Sequence, residues 1–573
     1  MSASTDHGFS KPELFAVNSP RTPRTSSEVQ RISLDKQHHH KRENGQVVPR
    51  YPIEEADWVW HPDAKDIPAV VQFSISFSAS ASSGPLTFHI SADQRYVLFL
   101  DGHRISRGPD AGDTDHWSFA SYTWTPTEGE HRFDAFVWSI GEAAPTPRYY
   151  LKNGFIFKAE NGWDQVLTTG QAPWNVRELY GISFDFHTSW HYPFQTSLLD
   201  CEAWHAPGEW KAPTVVMHGV GNDHFRRRQI LPRTWQLEPS RLPDQWESPW
   251  RGGRVRAVVA GWIDIGERFP SGEENFLETT PYQSLVEEGH AVTIAPHQTV
   301  TVLWDLEDYF CAYPRMQISG GQDGLIRWVW SEAFEIDDGR KADRNEVSNR
   351  TVCGPYDDFY PAGIDQQSLS TLWWRSGRYC LLNIQTQHES LTIEDIGLLE
   401  THYPLELTGD FSTADWHAGP LMQLCLRGLQ MCSHDIYLDC PFYEQRMFVG
   451  DSRIEALIHY VCQTDDRLTK RSIELFNYSR GLNNGLTTGR YPCREATCLS
   501  TFSMLWIAMI HDHFYWRDDH AFIQDQLTGV RGVLNTLAAY LNDEELLENL
   551  PGRNFIDHVF EYGDPPGALE DVS

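Results

Sequence analysis

No run of 18 apolar residues occurs in the sequence, so no segment is expected to cross a bilayer as a helix. The N-terminal stretch MSASTDHGFSKPEL lacks the apolar core of a secretory signal, which sets a cytoplasmic expectation. Positive charge is in deficit: 47 Lys and Arg stand against 79 Asp and Glu, a formal net charge of −32. Such a balance argues against a nucleic-acid partner, because binding a polyanion needs a cationic face. The ten cysteines form no CxxC pair, and their spacing suits neither a zinc site nor a disulfide framework. They are read as reduced, mostly buried thiols. GxSxG, P-loop and strand-borne GxGxxG motifs are missing as well, which removes the common serine-nucleophile, nucleotide-phosphate and dinucleotide readings.

Aromatic residues, in contrast, are plentiful: 22 Trp, 22 Tyr and 29 Phe. Flat rings pack β-sandwich cores and also stack on the C–H faces of sugars, so their abundance fits both. A chain of 573 residues exceeds one core and implies roughly three to four domains.

Residues 1–50 are rich in Ser, Pro, Lys, Arg and His and are expected to be a disordered tail. Its His38–His39–His40 run, followed by Lys41 and Arg42, is read as solvated rather than as a metal site or nuclear signal. From Tyr51 to Pro404 short strands alternate with Gly, Pro and Asp. Arg95–Leu100, the turn at Asp101-Gly102 and His103–Arg107 read as a hairpin. Thr87–Ile90, Arg132–Trp138, Val292–Ile294, Thr299–Leu303, Leu325–Trp330 and Tyr379–Ile384 read as further strands. The Pro- and Trp-rich segment Leu231–Trp250 divides this part into two β-sandwich regions, 51–238 and 239–404. After Leu405 the period becomes helical: Gly419–Cys432, the series Ile454, Leu457, Ile458 and Val461, then Phe502–Phe514 and Phe522–Leu541. About five helices fit into 405–573. Trp506 and Trp516 are read as core, and the His511-Asp512-His513 run as structural. The fold class is multidomain, β then α.

The segment Asp439-Cys-Pro-Phe-Tyr-Glu444-Gln-Arg-Met-Phe-Val-Gly450-Asp451 carries the chemistry. Pro441 suits a first helical turn, which would place Glu444 and Asp451 two turns apart on one helical face. Hydrolysis of a glycosidic bond needs a protonated carboxyl for the leaving oxygen and further carboxylates for sugar hydroxyls or water. A helix start favours a charged carboxylate, so Glu444 serves as an acid only if Asp439, Asp451 and the aromatic walls Phe442, Tyr443 and Phe448 counter that effect. Spacing alone leaves open that these acids merely cap a helix.

This segment resembles the signature of the α-L-rhamnosidase family, glycoside hydrolase family 78, a six-hairpin glycosidase family. Gly409-Asp-Phe-Ser412, Gly485-Leu-Thr487, Tyr491-Pro492, the Phe502–Ile507 helix and Phe555-Ile-Asp557 resemble its barrel elements, with His558 where the family usually has Trp. Trp373-Trp-Arg-Ser-Gly-Arg-Tyr379 and Ser91-Ala-Asp-Gln-Arg-Tyr96 resemble its β-domain motifs. The resemblance implies an (α/α)6 toroid barrel over 405–573, of which the chain holds only the N-terminal part. It implies hydrolysis of terminal α-L-rhamnosyl linkages with inversion, Glu444 as general acid, Asp439 and Asp451 as binders of sugar hydroxyls, and no cofactor or metal. Tyr443 and Phe448 stand at substrate-binding positions where many members have Arg and Trp. The family's water-activating Glu would fall beyond residue 573, and neither Glu495 nor Asp557 has a positional claim to replace it. The expected partner is a rhamnosylated glycoside or polysaccharide; the sequence fixes no oligomeric state. Two alternatives are a six-hairpin enzyme for another sugar and a carbohydrate-binding protein without catalysis.

Overall fold

The computed structural model describes residues 14–15, 29–37, 42–43, 46–47, 49–185, 195–219, 235–553 and 555, apart from 273, 338, 342, 410 and 411. Most of the expected tail, together with Asp557 and His558, lies outside the described residues. Sheets precede helices, the order that the change of period implies.

The first region is two facing antiparallel sheets. One contains Leu86–Asp93, Trp117–Trp124 and Gly154–Ala159, and the other Ala69–Ala79, Gly129–Ser139, Arg95–Leu100 and His103–Gly108. Side chains alternate across a strand, so Val71, Phe73, Ile75 and Phe77 point into the same core as Leu86, Phe88, Ile90 and Ala92. Each fully buried aromatic here contributes about 1.5–3 kcal/mol of transfer free energy. The hairpin turns at Asp101 (φ 52°) and Gly102 (φ 80°), the left-handed pair that matches strand twist.

Among the described residues the strands of the second region join one eleven-stranded sheet around Thr299–Gly320, a 22-residue strand. The sequence shows only its first five residues as strand, because Asp305, Glu307 and Asp308 interrupt the apolar pattern where the register shifts. Both faces are covered. Ile326, Trp328, Trp330, Cys380, Leu382 and Ile384 enter one core, whereas Val329, Tyr379 and Leu381 enter the other. The 238/239 boundary is also crossed. Ile182–Asp185 and Thr196–Asp200 already pair in the eleven-stranded sheet, while Leu237–Pro239 returns to the first region beside Trp117–Trp124.

Five α-helices follow among the described residues: Ala418–Met431, Val449–Cys462, Arg467–Ser479, Ser500–Trp516 and His520–Ala538. Leu468, Ile473, Phe476, Trp506, Val533 and Leu537 are buried among them, in a core continuous with one face of the large sheet. Trp506 is fully buried and donates to the Ile473 carbonyl at 3.0 Å. Trp516 is not core: it is 47% exposed. Ile454, Ile458 and Val461 face solvent, while the same helix buries Val449, Ser452, Ala456, His459 and Tyr460. The apolar series thus marks the helix correctly and misreports its buried face. His513 is buried, and its Nδ1 pairs with the Tyr460 hydroxyl at 2.9 Å. Burial lowers its pKa to about 4. All ten cysteines are free.

Candidate active site

The acidic segment does not fold as the sequence suggests. Pro441–Glu444 forms a turn, residues 445–447 are neither helix nor strand, and the helix begins at Val449. Glu444 and Asp451 are therefore not two turns apart on one helix. Long-range partners override the local helix signal: Ser376 donates to the Pro441 carbonyl at 2.8 Å, and the Trp373 indole donates to Gln445 Oε1 at 2.8 Å. The turn closes on itself through Asp439, whose Oδ1 accepts from the Arg446 N–H at 3.0 Å and whose own N–H donates to the Arg446 carbonyl at 2.9 Å.

The motif's acids are nevertheless brought together. Burial pushes the Asp439 carboxyl up to about 7, the Glu444 charge adds to the shift and Asp451 contributes less, against two backbone N–H groups that oppose it. Asp451 stands in the first turn of the Val449–Cys462 helix, where the dipole favours negative charge. Glu444 keeps an open side chain, 41% exposed, and accepts from Arg446 at 3.3 Å. Glu444 is thus a solvent-reachable carboxyl close enough to Asp439 to raise its pKa.

Phe448 is half-buried at the entry to that helix, with the Arg490 guanidinium 5.8 Å from its ring centroid. Tyr443 is directed elsewhere. Lys341 lies 4.5 Å from its ring centroid, Phe442 meets it edge-on, and burial followed by Glu332 pushes its phenol pKa up. Its ring thus packs toward the second sheet region.

Sequence reasoning missed several residues at this place. Arg446 bridges Glu444 and Glu495 (3.3 and 3.6 Å), and its Nε donates to the Thr146 hydroxyl at 3.1 Å. Glu495, left without a role by its position in the chain, is thereby set across Arg446 from the acid and also takes Arg490 at 3.1 Å. Glu455 follows Asp451 by one helical turn. Its Oε2 is buried without a hydrogen-bond partner, and burial, Asp451 and Asp439 push its carboxyl well above the usual range. The i, i+4 spacing to Asp451 was a usable signal for Glu455. Thr146, 300 positions upstream of Arg446, offered none.

Thr146 belongs to a loop of the first sandwich that forms one wall. Arg494 donates to the carbonyls of Gly141 and Ala144 at 2.6 and 2.9 Å, and the Tyr149 hydroxyl donates to the Cys493 carbonyl at 2.5 Å. Beneath the wall, Arg148 grips Asp435 with two bonds of 2.6 and 2.7 Å, and the Ala111 N–H adds a third at 2.7 Å. Burial opposes ionisation of Asp435, yet Arg148, with help from Arg95, holds it below the usual carboxylate range. All three regions therefore meet at the acidic turn. Among the described residues no group of three or more His, Cys, Asp and Glu is arranged to hold a metal ion, and no helix is long and apolar enough to cross a membrane.

Residues 406–570 match the model of the bacterial α-L-rhamnosidase six-hairpin glycosidase domain. No curated protein matches the chain. Among solved structures, the family 78 rhamnosidase of Bacillus sp. GL1 is similar with a TM-score of 0.70 at 15% identity, over 88% of this chain and 71% of that one. The α-L-rhamnosidase of Aspergillus terreus gives 0.58 at 14%, over 86% and 53%. The Streptomyces avermitilis α-L-rhamnosidase complexed with L-rhamnose gives 0.54 at 16%, over 83% and 42%. The chain thus spans about half the length of the latter two. At these identities the structures establish a shared fold, and the family model places the acidic turn inside the matched domain. Residues 406–570 are accordingly a six-hairpin glycosidase domain of the bacterial α-L-rhamnosidase family.

Proposed function

We propose that the acidic turn is the catalytic centre of a glycosidase that removes terminal α-L-rhamnosyl groups by single displacement. Glu444 protonates the leaving oxygen, and Asp439 and Asp451 accept hydrogen bonds from the sugar hydroxyls. The observation that carries this reading is the pairing of a solvent-reachable Glu444 with a half-buried Asp439 whose pKa is raised to about 7. Structural carboxylates are normally given a cation; a carboxylate held in like company marks a site where charge is used. The sugar is inferred from the matched domain and from the L-rhamnose in the Streptomyces relative. Glu495 is not assigned as the water-activating base, because Arg490 and Arg446 already pair with it.

The test compares the chain with its Glu444→Gln variant for hydrolysis of p-nitrophenyl α-L-rhamnopyranoside, alongside calorimetric binding of L-rhamnose. The expected outcome is a loss of about 10²–10⁴-fold in kcat in the variant with binding retained. Rhamnose binding without turnover in either form would favour the non-catalytic carbohydrate-binding reading. Turnover that survives in Glu444→Gln would remove Glu444 from the role.

A further inference from the structure

The residue after the acid, Gln445, is 4% exposed and left-handed, with φ 50°. A non-glycine residue adopts that conformation at a cost, and it persists only where its surroundings fix it. Both ends of its side chain are engaged. Oε1 accepts from the Trp373 indole N–H at 2.8 Å, and Nε2 donates to the Pro441 carbonyl at 2.9 Å, across the base of the turn that bears Glu444. Its backbone N–H adds a bond to the Cys440 carbonyl at 3.0 Å.

Trp373 is itself immobilised. Arg95 and Arg148 lie 5.0 and 4.7 Å from its ring centroid, and both guanidinium groups are held by Asp435. Its carbonyl accepts from the Thr371 hydroxyl at 2.7 Å, and the strand Arg375–Gln385 begins two residues later. The direction of one indole N–H is therefore fixed by the first sandwich, the large sheet and the helical domain together.

We propose that Gln445 is a positioning residue: through Trp373 it locks the left-handed turn that aims the Glu444 carboxyl, so that docking of the β-regions completes the acid's geometry. This inference rests on the reading of Glu444 as the acid. The Gln445 side chain bonds Trp373 and the Pro441 carbonyl, and its effect on the carboxyl passes through the backbone.

Gln445→Met tests it, since this side chain has similar length and keeps the Arg–Trp stack while both hydrogen bonds are lost. Trp373→Phe, alone and combined with Gln445→Met, removes the same bond from the other side. Two quantities are read: kcat and KM on p-nitrophenyl α-L-rhamnopyranoside, and hydrogen exchange of the 439–447 segment, which needs no activity. The expected result is a fall in kcat of tenfold or more with KM within twofold. Exchange at the Arg446 amide should quicken at least tenfold while the Val449–Cys462 helix keeps its protection. The double variant should be no worse than the worse single one. An active parent with a Gln445→Met variant of unchanged kcat or unchanged exchange overturns this inference alone. A parent that hydrolyses no rhamnoside overturns the functional reading, and with it the service to the acid, even if the exchange result supports the tether.

Discussion

Asp435, buried, and Asp439, half-buried, stand four residues apart at one junction, yet their carboxyls are shifted in opposite directions. Asp435 faces Arg148 and Arg95 and is held below the usual carboxylate range. Asp439 faces Glu444 and Asp451, is opposed by backbone N–H groups and the Cys440 thiol rather than by a guanidinium, and rises to about 7. Depth in the protein therefore does not decide the state of a carboxylate; the partner does. The first arrangement fastens domains, and the second leaves a carboxyl beside other carboxyls, the group assigned to sugar hydroxyls under the proposed function.

The largest expected effect comes from breaking the fastened side. Asp435→Ala leaves two buried guanidinium groups without their carboxylate and should cost about 3–5 kcal/mol of stability, read by thermal melting. The pH dependence has a definite sign. The folded value of Asp435 is depressed, so its contribution is complete above the unfolded value near 3.8 and is lost as the pH falls through the folded value.

Asp439 behaves in reverse. Its folded pKa lies above the unfolded one, so stability is highest in acid and declines as the pH rises from about 4 to about 7, when the unfolded chain releases a proton that the folded chain keeps. Three units correspond to a ceiling on the order of 4 kcal/mol. Asp439→Asn should flatten this decline between pH 4 and 8 in melting experiments while abolishing turnover, a stability gain at the expense of function.

A smaller effect is expected at Glu455, whose carboxyl is also pushed up by burial and by the two aspartates. Glu455→Gln keeps the shape of the neutral form and should change the melting temperature little below pH 6, with a modest rise at pH 8. The smallest is Asp63→Asn, which removes a solvent-exposed pair with Lys211 at 2.7 Å and should leave the melting temperature unchanged within error.

Much of the architecture was legible because period survives context. The hairpin at Asp101-Gly102 and the helices around Gly419, Phe502 and Phe522 lie where alternation or 3.6-residue spacing places them. Three acids of the candidate site were legible as a motif. The conformation of that motif was not. Pro441 carries a local helix-start signal, but the bonds from Ser376 and Trp373, more than 60 residues upstream, hold a turn instead. The Ile454, Ile458 and Val461 series failed as a guide to burial for the same reason: which side of a helix is covered depends on neighbours that periodicity does not name. Thr146 and Arg148 had no local mark at all, since their roles arise only when the first sandwich meets the helical domain.

Asp439 is kept beside other carboxyls, as the proposed chemistry requires, whereas Asp435 is kept beside two guanidinium groups. Thermal melting of Asp439→Asn beside the parent at pH 8, with Asp435→Asn as reference, tests it most directly. A melting temperature above the parent's is expected for Asp439→Asn, and one well below it for Asp435→Asn. Two variants that both melt well below the parent would contradict it, because Asp439 would then be a structural carboxylate like its neighbour.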